Sequence, residues 1–273
     1  MKKVKRLGGA VYILPNLITT GNIFFGFFSI IKGLQGQFLW AASAILLAAV
    51  FDVLDGRVAR LTGGTSEFGV QYDSLCDLVS FGLAPAFLMY QTGLSEMGRI
   101  GWIACFLFLA CGALRLARFN VQTSIGKASG DFTGLPIPMA AGFIASFVVA
   151  KLDILAMNSA NWFWVMAKNW VSGEAHLYLL LVAGPFLGVL MVSNVNFRSH
   201  KSLRLSGINP FKILVIAVAL VALVAIYPEV LGFLFFAGYA LSGPLEFILG
   251  GKKAVEDDEI FDRGYEDAET EGS

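Results

Sequence analysis

Four aspartates and an arginine stand at fixed intervals between long apolar runs of this chain: Asp52, Asp55-Gly56, Ala59-Arg60, Gly69, Asp73 and Asp77. Ionisable side chains in such surroundings are costly, and where they persist they mark a functional site. On a helix, Asp52 and Asp55 fall about 60° apart and Asp73 and Asp77 about 40° apart, so each pair shares a face. If the two helices face one another, the four acids make an oxygen-rich cage that repels itself unless divalent cations, two by charge balance, fill it. Mg²⁺ and Mn²⁺ both suit an all-carboxylate site.

The pattern Asp-x2-Asp-Gly-x2-Ala-Arg-x8-Gly-x3-Asp-x3-Asp resembles, at every fixed position, the signature of the CDP-alcohol phosphotransferases. These are membrane enzymes that exchange the CMP of a CDP-linked lipid for an alcohol. The resemblance implies that Asp52, Asp55, Asp73 and Asp77 hold the metal ions, and that Asp77 also takes the proton from the attacking alcohol. It places the CDP group against Asp52, Gly56, Ala59, Arg60 and Gly69, with Asn22 from the first apolar run, and it implies a homodimer. Gly56 and Ala59 carry little side chain and would let a nucleotide approach the backbone, or equally let helices pack closely. Arg60 offers a planar donor fork to phosphate, although its charge could instead offset the acids.

A second constellation bears on the acceptor alcohol. Leu-Arg-Leu-Ala-Arg-Phe-Asn at 114–120, followed by Phe-x-Gly-Leu-Pro-x-Pro at 132–138, is similar to the membrane-integral bacterial and archaeal phosphatidylserine synthases. That similarity implies CDP-diacylglycerol and L-serine as substrates, with phosphatidylserine and CMP as products. Serine carries a carboxylate, and arginine is its natural partner. Arg118 with Asn120 is the expected serine site. Arg115 on the same helix is either part of it, bound to phosphate, or snorkelling to the interface. Lys201 and Arg204 are expected at a lipid phosphate, or as a positive-inside anchor. An acceptor bearing its own phosphate, such as glycerol 3-phosphate or inositol phosphate, would demand more basic residues than these. The alternative from another class is a cation transporter whose path the aspartates line.

The elements that must position these residues are membrane helices. The chain has 273 residues, 56% of them hydrophobic and 15% charged, with zero formal net charge and a mean hydropathy of +0.70. This excludes a soluble domain, and the charge balance gives no sign of a nucleic-acid partner. An all-α bundle of eight spans is expected: 15–31, 38–61, 69–90, 100–119, 139–154, 177–195, 211–227 and 230–249. A basic segment, 1–12, precedes the transmembrane domain at 13–250, and an acidic, disordered tail fills 251–273. Pro15 is expected in the first turn of the first helix. Trp162, Trp164 and Trp170 read as an interfacial belt. Cys76, Cys105 and Cys111 show neither metal nor disulfide spacing, and His176 and His200 have no ligand-like partner.

Orientation follows from the basic residues. In the eight-span arrangement sixteen of the twenty Lys and Arg residues lie with the termini, leaving Lys32, Arg99, Lys151 and Lys168 on the other side. The positive-inside rule then puts both termini and the acid cluster at the cytoplasmic face of the cell membrane.

Overall fold

The computed structural model describes residues 10–64, 66–124, 132–157, 161–197 and 227–250. Within them the chain is helical apart from one two-residue strand pairing. Six helices are long and apolar enough to cross a membrane, among the described residues. The expected seventh span, the basic segment through residue 9, the acidic tail and the Lys201–Arg204 patch lie outside those residues.

Helix α1 (Ala10–Leu34) and helix α2 (Phe38–Thr62) form an antiparallel pair joined by a tight turn. Pro15 sits inside α1 rather than in its first turn, because the helix begins five residues earlier, at Ala10. At that position proline withholds the N–H that would otherwise bond to the Val11 carbonyl one turn earlier.

Helix α2 ends where Gly63 adopts φ 64°, the left-handed conformation that glycine takes without a Cβ penalty. The Gly64 N–H reaches back to the Ala59 carbonyl at 3.0 Å. Ser66 then caps α3 (Glu67–Asp77), its hydroxyl accepting from the Gly69 N–H at 3.0 Å. Stop and start signals only a few residues apart fold α2 and α3 into a hairpin and put their acids at the same end of the bundle.

The third span differs from an uninterrupted α-helix. α3 runs into a π-helical turn at Leu78–Leu83 and then into α4 (Ala84–Gln91), giving one continuous rod. Pro85 explains the interruption. It has no N–H for the Phe81 carbonyl and its ring would crowd that oxygen, so the chain widens and the Ala84 N–H bonds to Val79, five residues back. This rod is not among the six most apolar helices, since its first half carries the acids and polar Gln71, Tyr72 and Ser74.

A 3₁₀ turn (Leu94–Met97) leads into α5 (Gly98–Ser124), then β1 (Phe132–Thr133), α6 (Ile137–Ala156), α7 (Trp162–Ser172), α8 (Ala175–Val192), β2 (Asn196–Phe197) and α9 (Pro228–Gly250). Short α7 occupies the expected aromatic belt, with Trp162 and Trp170 exposed. The buried core joins Ala41, Ile45 and Ala48 of α2, Phe81 of the π turn, Phe108 of α5, and Ile137, Ile144 and Leu187 of α6 and α8. Around it, Phe24, Phe27, Trp40, Phe106 and Val182 face outward with more than half of their surface open. In a soluble protein such a surface would aggregate; here it suits contact with lipid chains.

β1 and β2 pair antiparallel with Phe132 opposite Phe197. The Gly-Leu-Pro run after β1 docks on the end of α8: the Gly134 N–H bonds to the Val195 carbonyl at 2.9 Å and Leu135 to that of Leu190 at 3.0 Å. Gly134 has φ 79°, and a Cβ there would collide with the Met191 carbonyl oxygen. Its identity is therefore dictated by backbone conformation and by close approach at once.

Candidate active site

Asp52 and Asp55 are delivered by the last turns of α2 and Asp73 by the middle of α3. One carboxylate oxygen from each of these three acids lies within 4.8 Å of the other two. Asp55 is buried, and both Asp55 Oδ2 and Asp73 Oδ1 are shielded from solvent with no hydrogen-bond partner. Orphaned anionic oxygens at such separations repel one another and lack hydration, a state that a divalent cation relieves. The donor set is all carboxylate oxygen, as a hard cation prefers. By geometry and by donor chemistry the three residues fit a divalent metal.

Asp77 lies within electrostatic reach of Asp52, Asp73 and Asp55. It is 8% exposed, and its Oδ1 accepts a hydrogen bond of 2.9 Å from Asn22 Nδ2 on α1. The four acids of the motif are thus brought into one neighbourhood, three of them by carboxylate oxygens within 4.8 Å and the fourth by its charge.

Beside the three acids opens a pocket of about 360 Å³, lined by residues of α1, α2 and α3 together with Phe119 of α5. Gly56, Ala59, Arg60, Gly69, Asp55 and Asp73 all border it, so the expected CDP-contact residues are brought together here, except Asp52 and Asn22. A Cβ on Gly56 would meet nothing nearer than Arg60 Nη2 at 4.0 Å, so the missing side chain leaves room in the pocket. On Gly69 a Cβ would press on Ser66 Oγ at 3.1 Å and Asn16 Oδ1 at 3.4 Å. Asn16, Thr19 and Ser66 also line the cavity. Asn16 and Thr19 were detectable only as polar residues at helical spacing, and Ser66 and Phe119 gave no separate signal.

The expected acceptor residues do not converge. Arg118 faces α8 and the segment after it, donating from Nη1 to the Val192 carbonyl at 3.0 Å and from Nη2 to Asn194 Oδ1 at 2.8 Å. Asn120 faces α3: its Oδ1 accepts from Ser74 Oγ at 3.1 Å and its Nδ2 donates to Gln71 Oε1 at 3.3 Å. Two residues on a helix are separated by about 200°, which accounts for the divergence. Arg115 points elsewhere again. It lies within electrostatic reach of Asp77, Asp52 and Tyr239 of α9. Its Nε is buried without a hydrogen-bond partner. Tyr239, which stacks on Phe197 with ring centres 5.7 Å apart, carried no signal in the sequence.

The comparisons with known proteins agree with this geometry. The family model described as CDP-alcohol phosphatidyltransferase matches residues 12–175. A CDP-diacylglycerol–serine O-phosphatidyltransferase of Helicobacter pylori (strain J99) is 35% identical over 239 residues, covering 87% of this chain and 92% of its own. An archaetidylserine synthase of Methanothermobacter thermautotrophicus is 46% identical over 136 residues, covering 49% of this chain and 57% of its own. A third relative, the CDP-diacylglycerol–serine O-phosphatidyltransferase of Mycobacterium leprae, is 38% identical over 172 residues, 61% of this chain and 56% of its own. With three carboxylates gathered beside a glycine-lined pocket and a family match over more than half its length, this multi-pass membrane chain belongs to the CDP-alcohol phosphatidyltransferase family.

Proposed function

We propose that the protein transfers the phosphatidyl group of CDP-diacylglycerol to the hydroxyl of L-serine, giving phosphatidylserine and CMP. The observation that carries this reading is the convergence of Asp52, Asp55 and Asp73 within 4.8 Å, two of which, Asp55 and Asp73, border the pocket lined by Gly56, Ala59 and Arg60. Serine as the acceptor rests on likeness to the Helicobacter pylori enzyme over most of both chains and on one arginine, Arg115, within electrostatic reach of Asp77.

In this reading Asp52, Asp55 and Asp73 would hold Mg²⁺ or Mn²⁺, two ions in the family pattern, which neutralise pyrophosphate oxygens and the departing CMP. Arg60, exposed at the pocket edge, binds a phosphate oxygen of the nucleotide. Gly56, Ala59 and Gly69 admit the nucleotide against bare backbone. Arg115 holds the serine carboxylate. Asp77 Oδ2 takes the hydroxyl proton of serine while the serine oxygen bonds to the phosphatidyl phosphorus. The bond from that phosphorus to the bridging oxygen breaks, and CMP leaves with the electron pair.

Arg118 and Asn120, tied to α8 and α3, then act as braces that fix the end of α5 from which Arg115 projects. The site faces the cytoplasm of the cell membrane on the strength of the basic-residue count. Family resemblance adds a homodimer, which sedimentation in detergent checks.

Release of CMP from CDP-diacylglycerol by the detergent-purified protein, dependent on added L-serine, tests the assignment. Release with glycerol 3-phosphate or inositol phosphate but not with serine would overturn the acceptor alone. No CMP release with any alcohol would overturn the enzyme and leave the cation path.

A further inference from the structure

Serine is a zwitterion at neutral pH. In the proposed transfer Arg115 meets its carboxylate, which leaves its ammonium without a partner. An ammonium has three N–H donors and no acceptor, so the side chain that receives it must offer an oxygen or a ring face. Asp77, Tyr239, Asp52 and Arg118 all lie within electrostatic reach of the Arg115 guanidinium. Asp77 and Asp52 already serve the cations and the hydroxyl proton in that reading, and Arg118 repels a cation. Tyr239 of α9 is the group left.

The fold holds Tyr239 to this place through one short run of chain, 192–197. Its start is fastened to α5 by Arg118, one turn after Arg115, which donates to the Val192 carbonyl and to Asn194 Oδ1. Its end is Phe197, 1% exposed and paired with Phe132 in the small sheet. The Phe197 ring stacks on that of Tyr239 with centres 5.7 Å apart and planes at 26°. One turn further along α9 stands Gly243, where a Cβ would collide with the same Phe197 ring. Glycine there lets Phe197 lie against the helix, and the stacked ring then limits where the phenol can swing. The run that braces the arginine helix thus also seats the tyrosine.

We propose that Tyr239 is a specificity-determining residue of the acceptor site, its phenol oxygen accepting from the ammonium of serine while Arg115 holds the carboxylate. This rests on the reading of serine as the acceptor and of Arg115 as its carboxylate partner. A phenol oxygen has acceptor capacity besides its one proton, so a bond made by that proton does not exhaust it. Carboxylate and ammonium share one carbon in serine, and two neighbouring side chains on braced helices match that spacing. Glycerol 3-phosphate has no ammonium to give Tyr239, and ethanolamine has no carboxylate to give Arg115, so the two contacts together select an amino acid. Helix α9 lies beyond residues 12–175, the part matched by the family model. The last helix therefore adds acceptor choice to transfer chemistry housed in the earlier ones.

The test is CMP release by the purified full chain with Mn²⁺, CDP-diacylglycerol and varied L-serine, with glycerate as a competitor. Glycerate keeps the carboxylate and the primary hydroxyl and carries a hydroxyl in place of the ammonium. Tyr239→Phe removes only the phenol oxygen and leaves a ring on Phe197. Its serine KM should rise at least about 10-fold, the worth of a lost hydrogen bond to a charged group. The KM for CDP-diacylglycerol and the melting temperature should stay near wild type, and inhibition by glycerate should weaken far less than serine use. An unchanged serine KM overturns the proposal, as does a parallel loss in both substrates and in melting temperature, the mark of a residue that only packs α9. Should Tyr239→Phe fail to fold, Tyr239→Leu takes its place with the same split expected and the same contrary results. Wild-type protein that releases no CMP with serine would sink the acceptor reading itself, whereas serine-dependent release with an unaffected Tyr239→Phe sinks only the role of Tyr239.

Discussion

Arg118 and Asn120 stand two residues apart on α5 and are bound to opposite neighbours, Arg118 to Val192 and Asn194 beyond α8, Asn120 to Ser74 and Gln71 of α3. One serine carboxylate cannot use both without breaking one set of bonds. In the proposed reaction Arg115, one turn earlier and within electrostatic reach of Asp77, is the carboxylate partner. Arg115→Ala should therefore raise the serine KM by about 10- to 160-fold, the worth of a hydrogen bond to a charged group, with CDP-diacylglycerol binding retained. Arg118→Ala should instead lower the melting temperature in detergent, with the serine KM little changed. The opposite pattern would return Arg118 to the acceptor site.

Loss of a metal ligand should be felt in binding before it is felt in turnover. Asp73→Asn and Asp52→Asn each remove a charged donor from the group of three. Calorimetry should show Mn²⁺ affinity weakened by at least about 10- to 100-fold, the range reported for mere outer-shell partners. Chelation with EDTA should abolish CMP release, and Mn²⁺ or Mg²⁺ should restore it. Equal affinity in both variants would count against the carboxylate cluster as the metal site.

At Gly56 stability and activity should part company. The position is helical and has open space where a Cβ would go, so Gly56→Ala should raise stability by up to about 1 kcal/mol through helix propensity. The same methyl stands in the pocket proposed for the nucleotide. A higher melting temperature with a higher KM for CDP-diacylglycerol is the expected pair of results. A better KM would remove Gly56 from the CDP site.

Gly134 should behave in the reverse way. Its positive φ and its contact with the Met191 carbonyl leave no room for a side chain. Gly134→Ala should cost about 1–3 kcal/mol, read as lower thermal stability and poor recovery from detergent extraction. Wild-type stability would show that the segment relaxes without strain.

Sidedness has a direct assay. Leu61, 87% exposed at the end of α2, lies at the same end of the bundle as the acids. A cysteine there should react with an impermeant thiol reagent only from the cytoplasmic side, above the background of native Cys76, Cys105 and Cys111. Labelling of intact cells from outside would invert the orientation.

The acid pairs were legible because spacings of three and four residues carry directly into a helical face, and because the glycine-rich connector announces a hairpin. The hydrogen bond that holds Asp77 was not, since it comes from Asn22, fifty-five residues away in the chain. Arg118 and Asn120 are near in sequence, but helical rotation sends them to different neighbours, a divergence that their place in one motif conceals. The Phe-x-Gly-Leu-Pro-x-Pro run was read for what it says about the acceptor, yet its visible work is to dock β1 and the start of α6 on the end of α8. Tyr239 was hidden for a related reason. It reaches the neighbourhood of Arg115 through tertiary packing of the last helix, which no local pattern encodes. The interruption in the third span could have been suspected from Pro85, a residue that a long apolar run tends to conceal.

The π turn also changes how the third rod tolerates insertion and deletion. One extra residue is accommodated between Asp77 and Ala84, so the half bearing the acids and the half packed in the core are out of ordinary α-helical phase. Removing a single residue there would close the turn to ordinary α-helix with Asp73, Asp77, Leu88 and Met89 still facing their neighbours, whereas one more inserted residue would turn one half against the other by about 100°. Removal of a further whole turn would shorten the rod with much less rotation. Length variation within this segment is thus filtered by angle more than by number.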